Sequence, residues 1–349
     1  MKTYPLKLKL ALFLTVILAI TLCCLFVFLQ TADLSEFKLD SDEGLIKTTI
    51  VVTSDREIKD YRADITKVFD DTYVLEYENE SDANYAYNTL SKKSYVNDVY
   101  YDFFVSIDDV TEETEEDEAV ISADGDNDYD YWGYEATGAY DYLDYVNSLD
   151  TQKTVVVAVM DTGINHTHEL FEGRIISGGY DYIDNDGYPD DANGHGTHVA
   201  GIICQMTPDN VKILPLKVMD GDGRGTSTEI IKAFNKVATL KKSMNIVAVN
   251  LSLSSEVLNK NATYETYVNN LYANGVLSVA ASGNDTYRAD YAAPANSRRA
   301  ITVGNIQQVN EKCFAYSSSN HGQYVDIAAP GTNIYSASHI DDVALVKKT

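Results

Sequence analysis

The sequence predicts a doubly wound α/β domain, with a mostly parallel sheet covered by helices, preceded by a small α+β domain. From about residue 131 onward, short apolar runs of strand length alternate with helical segments. Continuous apolar runs of this kind are typical of strands buried on both faces of a parallel sheet. Upstream, alternating patterns of strand period occur within 45–107, and an acidic run over 108–130 separates the two parts.

The N-terminal residues 1–30 carry a targeting pattern. Lys2, Lys7 and Lys9 precede an apolar run over 10–29. A basic flank before an apolar run is typical of an export signal, and a run of this length also suffices to span a bilayer. We therefore expect either a removed signal peptide or a retained membrane anchor, and an extracellular or cell-surface location.

The small domain over 45–107 is predicted to run strand, helix, strand, helix, strand. Residues 46–52 and 71–77 alternate with the period of strands, and 96–105 form a third strand. One helix is expected between the first two strands. A second is expected to begin at the cap signal of Ser81 and Asp82 and to end near Lys92.

The linker over 108–130 is strongly acidic, as is the chain, whose formal net charge is −26 at pH 7. Such a segment repels itself and stays solvated. The overall charge argues against nucleic acid and anionic membrane surfaces as partners.

The larger domain over 131–349 is expected to hold five buried strands and three helices. The strands are expected at 154–160, 212–218, 245–253, 275–281 and 299–304, and the helices after His195, Ser227 and Tyr264. In doubly wound sheets ligands bind beyond the carboxyl ends of the strands. Asp161 follows the first of these strands and so lies where a site is expected.

Asp161 and His195 are the candidate catalytic pair. A serine hydroxyl needs an imidazole to accept its proton, and the imidazole needs a carboxylate on its other nitrogen. His195 lies in the segment 193–201, which reads NGHGTHVAG, with glycines on either side that allow close backbone packing. The pattern predicts a base and its orienting carboxylate.

The segments 157–164 and 195–201, with several later ones, resemble the subtilisin family of serine proteases over residues 132–338. The order of aspartate before histidine is the subtilisin order. The resemblance implies the subtilisin-like fold, hydrolysis of peptide or protein substrates, and no cofactor for the chemistry. It also implies that 45–107 are a propeptide, which chaperones and inhibits the protease, and that the linker contains the maturation cleavage.

The resemblance carries further site residues. Asn284 matches the family's oxyanion-hole asparagine. Ser252, Leu253 and Ser254 resemble one substrate-binding edge, although Ser254 stands where the family has glycine. Gly223 and Gly225 flank Arg224 in the opposing edge, and an extended peptide is expected between the two edges by strand addition.

The family's nucleophile block, Gly-Thr-Ser-Met-Ala, is absent from the 349 residues. Ser227 follows Gly-Thr, but its neighbours match an edge loop and a helix, so we do not expect it to be the nucleophile. Two interpretations stay open, a truncated protease or an inactive pseudoprotease that binds peptides or regulates. The retained Asp161, His195 and Asn284 favour truncation. The chain as given is expected to be inactive.

Metal binding is the remaining question. His166, His168, His195 and His198 lack the His-Glu-x-x-His pattern of a zinc site. Asp184 and Asp186 sit in an acidic loop that resembles a calcium loop only loosely. Because subtilisin-like proteins often bind structural calcium, the resemblance implies a possible site there. The alternative is a solvated acidic loop.

Overall fold

The computed structural model describes residues 44–60, 62–69, 71–107, 121–122, 132–149, 153–256 and 262–349. The apolar run over 10–29 lies outside the described residues, as does the linker except for 121–122. In the part of the chain that is described, no helix has the length and apolarity needed to cross a membrane.

The helices and strands are numbered in chain order. The first part contains β1 (Leu45–Ser54), β2 (Ala63–Lys67), β3 (Thr72–Tyr77), α1 (Glu80–Leu90) and β4 (Val96–Ile107). The segment from 121 to 217 contains β5 (Ile121–Ser122), α2 (Trp132–Thr137), α3 (Ala139–Asn147), β6 (Val155–Asp161), β7 (Tyr180–Asp181), α4 (His195–Met206) and β8 (Val211–Lys217). Then follow β9 (Arg224–Thr226), α5 (Ser227–Met244), β10 (Ile246–Leu251), β11 (Leu253–Glu256), α6 (Ala262–Ala273) and β12 (Leu277–Ala281). The last part contains β13 (Ala292–Ala293), β14 (Ala300–Val309), β15 (Lys312–Ala315), β16 (Ile327–Pro330), β17 (Ile334–Ala337) and β18 (Ala344–Lys348).

The large sheet confirms the predicted α/β fold. Its strand order is β15-β14-β12-β10-β6-β8-β7, with β16 paired to β14, and every pair is parallel except β14 with β15. Ala158 and Met160 of β6 pack in one core with Phe234 of α5. Val159 packs in another core with Ala200 of α4. Alternate residues of β6 thus face helices on opposite sides, which explains why the strand is apolar throughout.

The first part of the chain forms an antiparallel sheet in the order β4-β1-β3-β2, with α1 packed on it. The helix expected between the first two strands is wrong, because that region contains β2. Ile65 pairs with Leu75 of β3 and packs partly buried in the core of this sheet. The tertiary pairing decides the structure of this short segment, which a local pattern does not reveal.

The small sheet and the larger domain share one apolar core. Phe103 and Val105 of β4 are buried in the same cluster as Phe234 and Tyr264. The Phe103 and Tyr264 rings meet edge to face, with 5.9 Å between their centroids. The described residues from 44 to 349 accordingly form one compact unit.

Candidate active site

Asp161 ends β6 in the interior of the large sheet, at the edge where the carboxyl ends of the parallel strands meet. Its side chain is 1% exposed. Carboxylate oxygen Oδ1 accepts a hydrogen bond from the backbone N–H of Thr162 at 2.8 Å. Burial of a charged carboxylate is costly unless it is paired, so the position calls for a partner with a donor.

His195 provides that donor at the first residue of α4. Its Nδ1 lies 2.7 Å from Asp161 Oδ1, and its side chain is 13% exposed. A carboxylate on Nδ1 favours the tautomer that carries its lone pair on Nε2, which is the form able to take a proton from a hydroxyl. The structure thus brings the two predicted residues together.

The packing around Gly196 explains why a glycine follows the histidine. A Cβ at this position would lie 2.2 Å from the carbonyl oxygen of Gly163 and 3.1 Å from Asp161 Cβ. Any larger residue would push the start of α4 away from the end of β6. The close approach that places His195 against Asp161 therefore requires glycine.

Asn284 lies in the loop after β12 and lines the same cavity as His195. The cavity has a volume of about 350 Å³. Ser252 of the predicted edge also lines it, as do Val279 and Thr349. His195, Asn284 and one end of the predicted peptide groove thus border one space.

The other predicted substrate-binding residues flank the end of β4. On one side, Val105 pairs antiparallel with Gly225, and Ile107 donates its backbone N–H to the Gly223 carbonyl at 3.0 Å. On the other side, β11 pairs antiparallel with the same strand, Leu253 opposite Ile107 and Ser254 opposite Ser106. Residues 104–107 are thus the middle strand between the two edges that the sequence assigned to a peptide. We name the space between β9 and β11 the peptide cleft.

Ser227 is not near the cavity of His195. It is buried at the start of α5 and donates its hydroxyl hydrogen to Asp102 Oδ1. Asp102 lies on β4 and also accepts from the backbone N–H and the hydroxyl of Thr228. A strand of the small sheet therefore caps a helix of the larger domain. The sequence analysis missed Asp102, because nothing local indicates a cap that is more than a hundred residues away.

Two other histidines, His168 and His198, have structural contacts. His168 is buried with Nε2 2.8 Å from the Ala344 carbonyl oxygen, and His198 is buried with Nε2 2.9 Å from that of Ile334. Burial, with a smaller contribution from Lys348, lowers the pKa of His198 to about 3. This ring stays neutral and donates to the backbone.

The acidic loop contains the two residues predicted to bind calcium. Asp184 and Asp186 are exposed, and Asp186 accepts from the backbone N–H of Tyr188. The nearby Asp181 is buried against Lys217, with 3.4 Å between the charged atoms. Calcium takes six to eight oxygen ligands, and within the described ranges no group of three or more His, Cys, Asp or Glu is placed to share a metal ion. Calcium binding at Asp184 and Asp186 stays a prediction.

The sequence of residues 152–348, more than half of the chain, matches the Subtilase family. The chain belongs to the subtilase family. The thermophilic serine proteinase of Bacillus sp. (strain AK1) is 35% identical over 221 residues, which cover 60% of this chain and 52% of that protein. Subtilisin-like protease 1 of Pseudogymnoascus destructans is 38% identical over 216 residues, which cover 59% of this chain and 51% of that protein. This subtilase chain thus spans about half the length of the curated relatives it matches.

Solved structures agree with the fold. A cold-adapted subtilisin-like serine proteinase matches with a TM-score of 0.50 and 34% identity, covering 56% of this chain and 69% of that one. Fervidolysin from Fervidobacterium pennivorans matches with a TM-score of 0.63 and 19% identity, covering 85% of this chain and 49% of its own. At this identity the second likeness concerns the fold alone, and it extends well beyond the residues that match the family.

Proposed function

We propose that this subtilase is the precursor of an exported serine endopeptidase, with His195 as general base and Asp161 as its orienting carboxylate. The observation that carries the proposal is the 2.7 Å contact between His195 Nδ1 and Asp161 Oδ1 at the carboxyl end of a parallel strand. Both residues have the order and the sequence context of the family.

In the proposed reaction, His195 Nε2 takes the proton of a serine hydroxyl as its oxygen attacks the scissile carbonyl. Asp161 then stabilises the imidazolium, and the Asn284 amide donates a hydrogen bond to the oxyanion. Collapse of the tetrahedral intermediate transfers the proton from Nε2 to the leaving amine. Water repeats the sequence and releases the acyl product. Loss of one oxyanion donor lowers kcat about 10²–10³-fold, the value known for subtilisin itself.

We propose that residues 45–107 are the propeptide and that 104–107 occupy the place of a substrate. Support comes from their pairing with both edges of the peptide cleft. A substrate peptide would be bound in the same extended form, by backbone hydrogen bonds to β9 and β11. The maturation cleavage would lie in the linker over 108–130, which follows residue 107 in the sequence.

We propose that the nucleophilic serine belongs to a part of the protein outside these 349 residues. Support comes from His195 and Asn284, which line one cavity together with Ser252 of the predicted substrate-binding edge. Residues 1–349 alone are then inactive. We further propose that the apolar run over 10–29 exports the protein, as a removed signal or a retained anchor. N-terminal sequencing of exported protein distinguishes the two, because removal gives a new N-terminus after the run.

The test compares residues 1–349 with the product of the reading frame continued past Thr349, each incubated with an unfolded protein and with a fluorophosphonate probe. We expect cleavage and covalent labelling of the continued product alone, with both lost in its His195→Ala variant. An uninterrupted frame whose product neither cleaves nor reacts refutes the peptidase proposal. A stop codon at this point leaves the alternative, a pseudoprotease that binds peptides.

A further inference from the structure

Asp191 lies in the loop before α4, four residues before His195, and its carboxylate is almost fully used by hydrogen bonds. Oδ2 accepts from the backbone N–H and the hydroxyl of Thr197, at 2.9 and 2.6 Å. Oδ1 accepts from the backbone N–H groups of Asn193 and Gly194, at 2.9 and 2.8 Å. These bonds fix the loop on the first turn of α4.

A further bond joins Asp191 to the other half of the dyad. The hydroxyl of Thr162, the residue after Asp161, donates to Asp191 Oδ1 at 2.8 Å. The same hydroxyl oxygen accepts from the backbone N–H of Gly196 at 2.9 Å. A continuous chain of hydrogen bonds therefore runs from the end of β6, through Thr162 and Asp191, to the residues on both sides of His195.

The electrostatics favour an ionised Asp191. It sits at the N-terminus of a helix, where the unsatisfied N–H groups create a partial positive charge. Burial alone would raise the pKa of Asp191, but the hydrogen bonds from Gly194, Thr197 and Asn193 outweigh it, so the pKa lies below its ordinary value. The carboxylate is thus charged wherever His195 can act as a base.

We propose that Asp191 is a positioning residue for the base, which holds the start of α4 at the distance where His195 Nδ1 donates to Asp161. A bond of 2.7 Å tolerates little displacement, and Asp191 joins the two elements that carry its ends. This inference rests on the proposed function. The bond it concerns is measurable in the chain without a nucleophile.

If Asp191 only stabilised α4 as a helix cap, its substitution would have a different effect. Its removal would lower the stability of the fold and leave the geometry of the folded dyad unchanged. Positioning predicts that the dyad changes in molecules that are still folded. The test must therefore report on the His195 ring itself.

The experiment is ¹⁵N NMR on the full chain labelled at histidine, in detergent micelles that accommodate the apolar run. In the wild type we expect His195 in the Nδ1–H tautomer, with a downfield Nδ1–H resonance assigned by its loss in His195→Gln. In Asp191→Asn, the exchange of that proton with solvent is expected to rise at least about tenfold, as for the loss of a charge-assisted hydrogen bond. The signals of the buried His168 and His198 should persist and report that the fold is intact.

The matched control is Asp190→Asn, which makes the same change of charge one residue away. The Asp190 side chain is 68% exposed and contacts His166 at 3.2 Å. We expect the wild-type His195 spectrum in this variant. An Asp191→Asn protein with the wild-type resonance and exchange rate overturns the inference and leaves the proposed function standing. A wild-type chain without an Nδ1–H bonded His195 overturns both.

If Asp191→Asn does not fold, Thr162→Val and Thr162→Ser decide the question. Valine removes the hydroxyl that links Asp191 to the Asp161 strand but leaves the four bonds from Asn193, Gly194 and Thr197. We expect faster Nδ1–H exchange in Thr162→Val and the wild-type rate in Thr162→Ser. Wild-type exchange in both variants refutes the positioning role.

Discussion

Replacing Asp102 by alanine should destabilise the chain far more than its place on a strand indicates. Asp102 is 3% exposed, and its carboxylate stabilises the first turn of α5. It accepts from the Ser227 hydroxyl at 2.5 Å, and from the hydroxyl and backbone N–H of Thr228 at 2.7 and 3.2 Å. The substitution leaves these donors buried at the first turn of a helix without their acceptor.

The magnitude follows from these contacts. Loss of an N-cap acceptor costs about 0.5–2 kcal/mol, and each buried donor left unsatisfied costs about 1–3 kcal/mol. The cost of the lost cap and the cost of the unsatisfied donors do not add, because both describe the same hydrogen bonds from Ser227 and Thr228. Three buried donors lose the same acceptor, and relaxation around the site recovers part of each loss, so we expect Asp102→Ala to cost about 2–4 kcal/mol.

Urea unfolding of the full chain, followed by circular dichroism, measures the loss. Asp98→Ala is the matched control, since Asp98 lies on the same strand and accepts from its own neighbour Val99 at 2.9 Å. Burial raises the pKa of Asp98, so its removal should change the free energy of unfolding by less than about 1 kcal/mol. Equal losses in the two variants would refute the role of Asp102 as a cap of α5.

Three further predictions concern pH and the peptide cleft. The pKa of His198 in the folded protein is lowered to about 3. Its contribution to the free energy of unfolding is therefore fully present above about pH 6.5. As the pH falls below that value, this contribution is lost by about 1.4 kcal/mol per pH unit. His198→Gln should therefore lose less stability than the wild type between pH 7 and pH 5 in urea unfolding, and identical losses would contradict this. Burial first, and then Asp102, raises the pKa of Glu229, so its contribution is present below about pH 4.5 and is lost at higher pH. Between about pH 4.5 and pH 7 the free energy of unfolding of Glu229→Gln should change less with pH than that of the wild type. Equal changes in the two proteins would contradict this prediction. In Gly223→Val, the new Cβ would lie 2.7 Å from Ile107 Cδ1 on a backbone with φ of +72°; hydrogen exchange at residues 104–107 should become faster, and unchanged protection would show that the cleft does not hold this strand.

The sequence predicted the elements that carry strong local signals. The apolar run predicted the strand β6, and the glycine-flanked His195 predicted a partner for Asp161. The structure places His195 against Asp161, as expected. The end of β4 was predicted as a strand, but its place between β9 and β11 depends on partners more than a hundred residues away. Such pairing leaves no trace in a local pattern.

The structure of β2 and the role of Asp191 both depend on tertiary contacts that the local sequence does not show. The segment now known as β2 was expected to be a helix, because five residues are too few for a period to distinguish the two. Asp191 was not singled out from the sequence, although its carboxylate is the acceptor that joins β6 to α4. Asp191 lies outside the N-cap position of α4, which is Gly194, so the capping rule does not identify it from the sequence.

Asp161 and His195 are proposed as the catalytic carboxylate and base of a peptidase. The most direct test of this proposal is the steady-state hydrolysis of a peptide by the product of the continued reading frame and by its His195→Ala variant, with the amounts of folded protein matched. We predict that kcat falls by about 10²–10⁴-fold or more while KM changes little. A His195→Ala enzyme with kcat within about tenfold of the wild type would contradict the account.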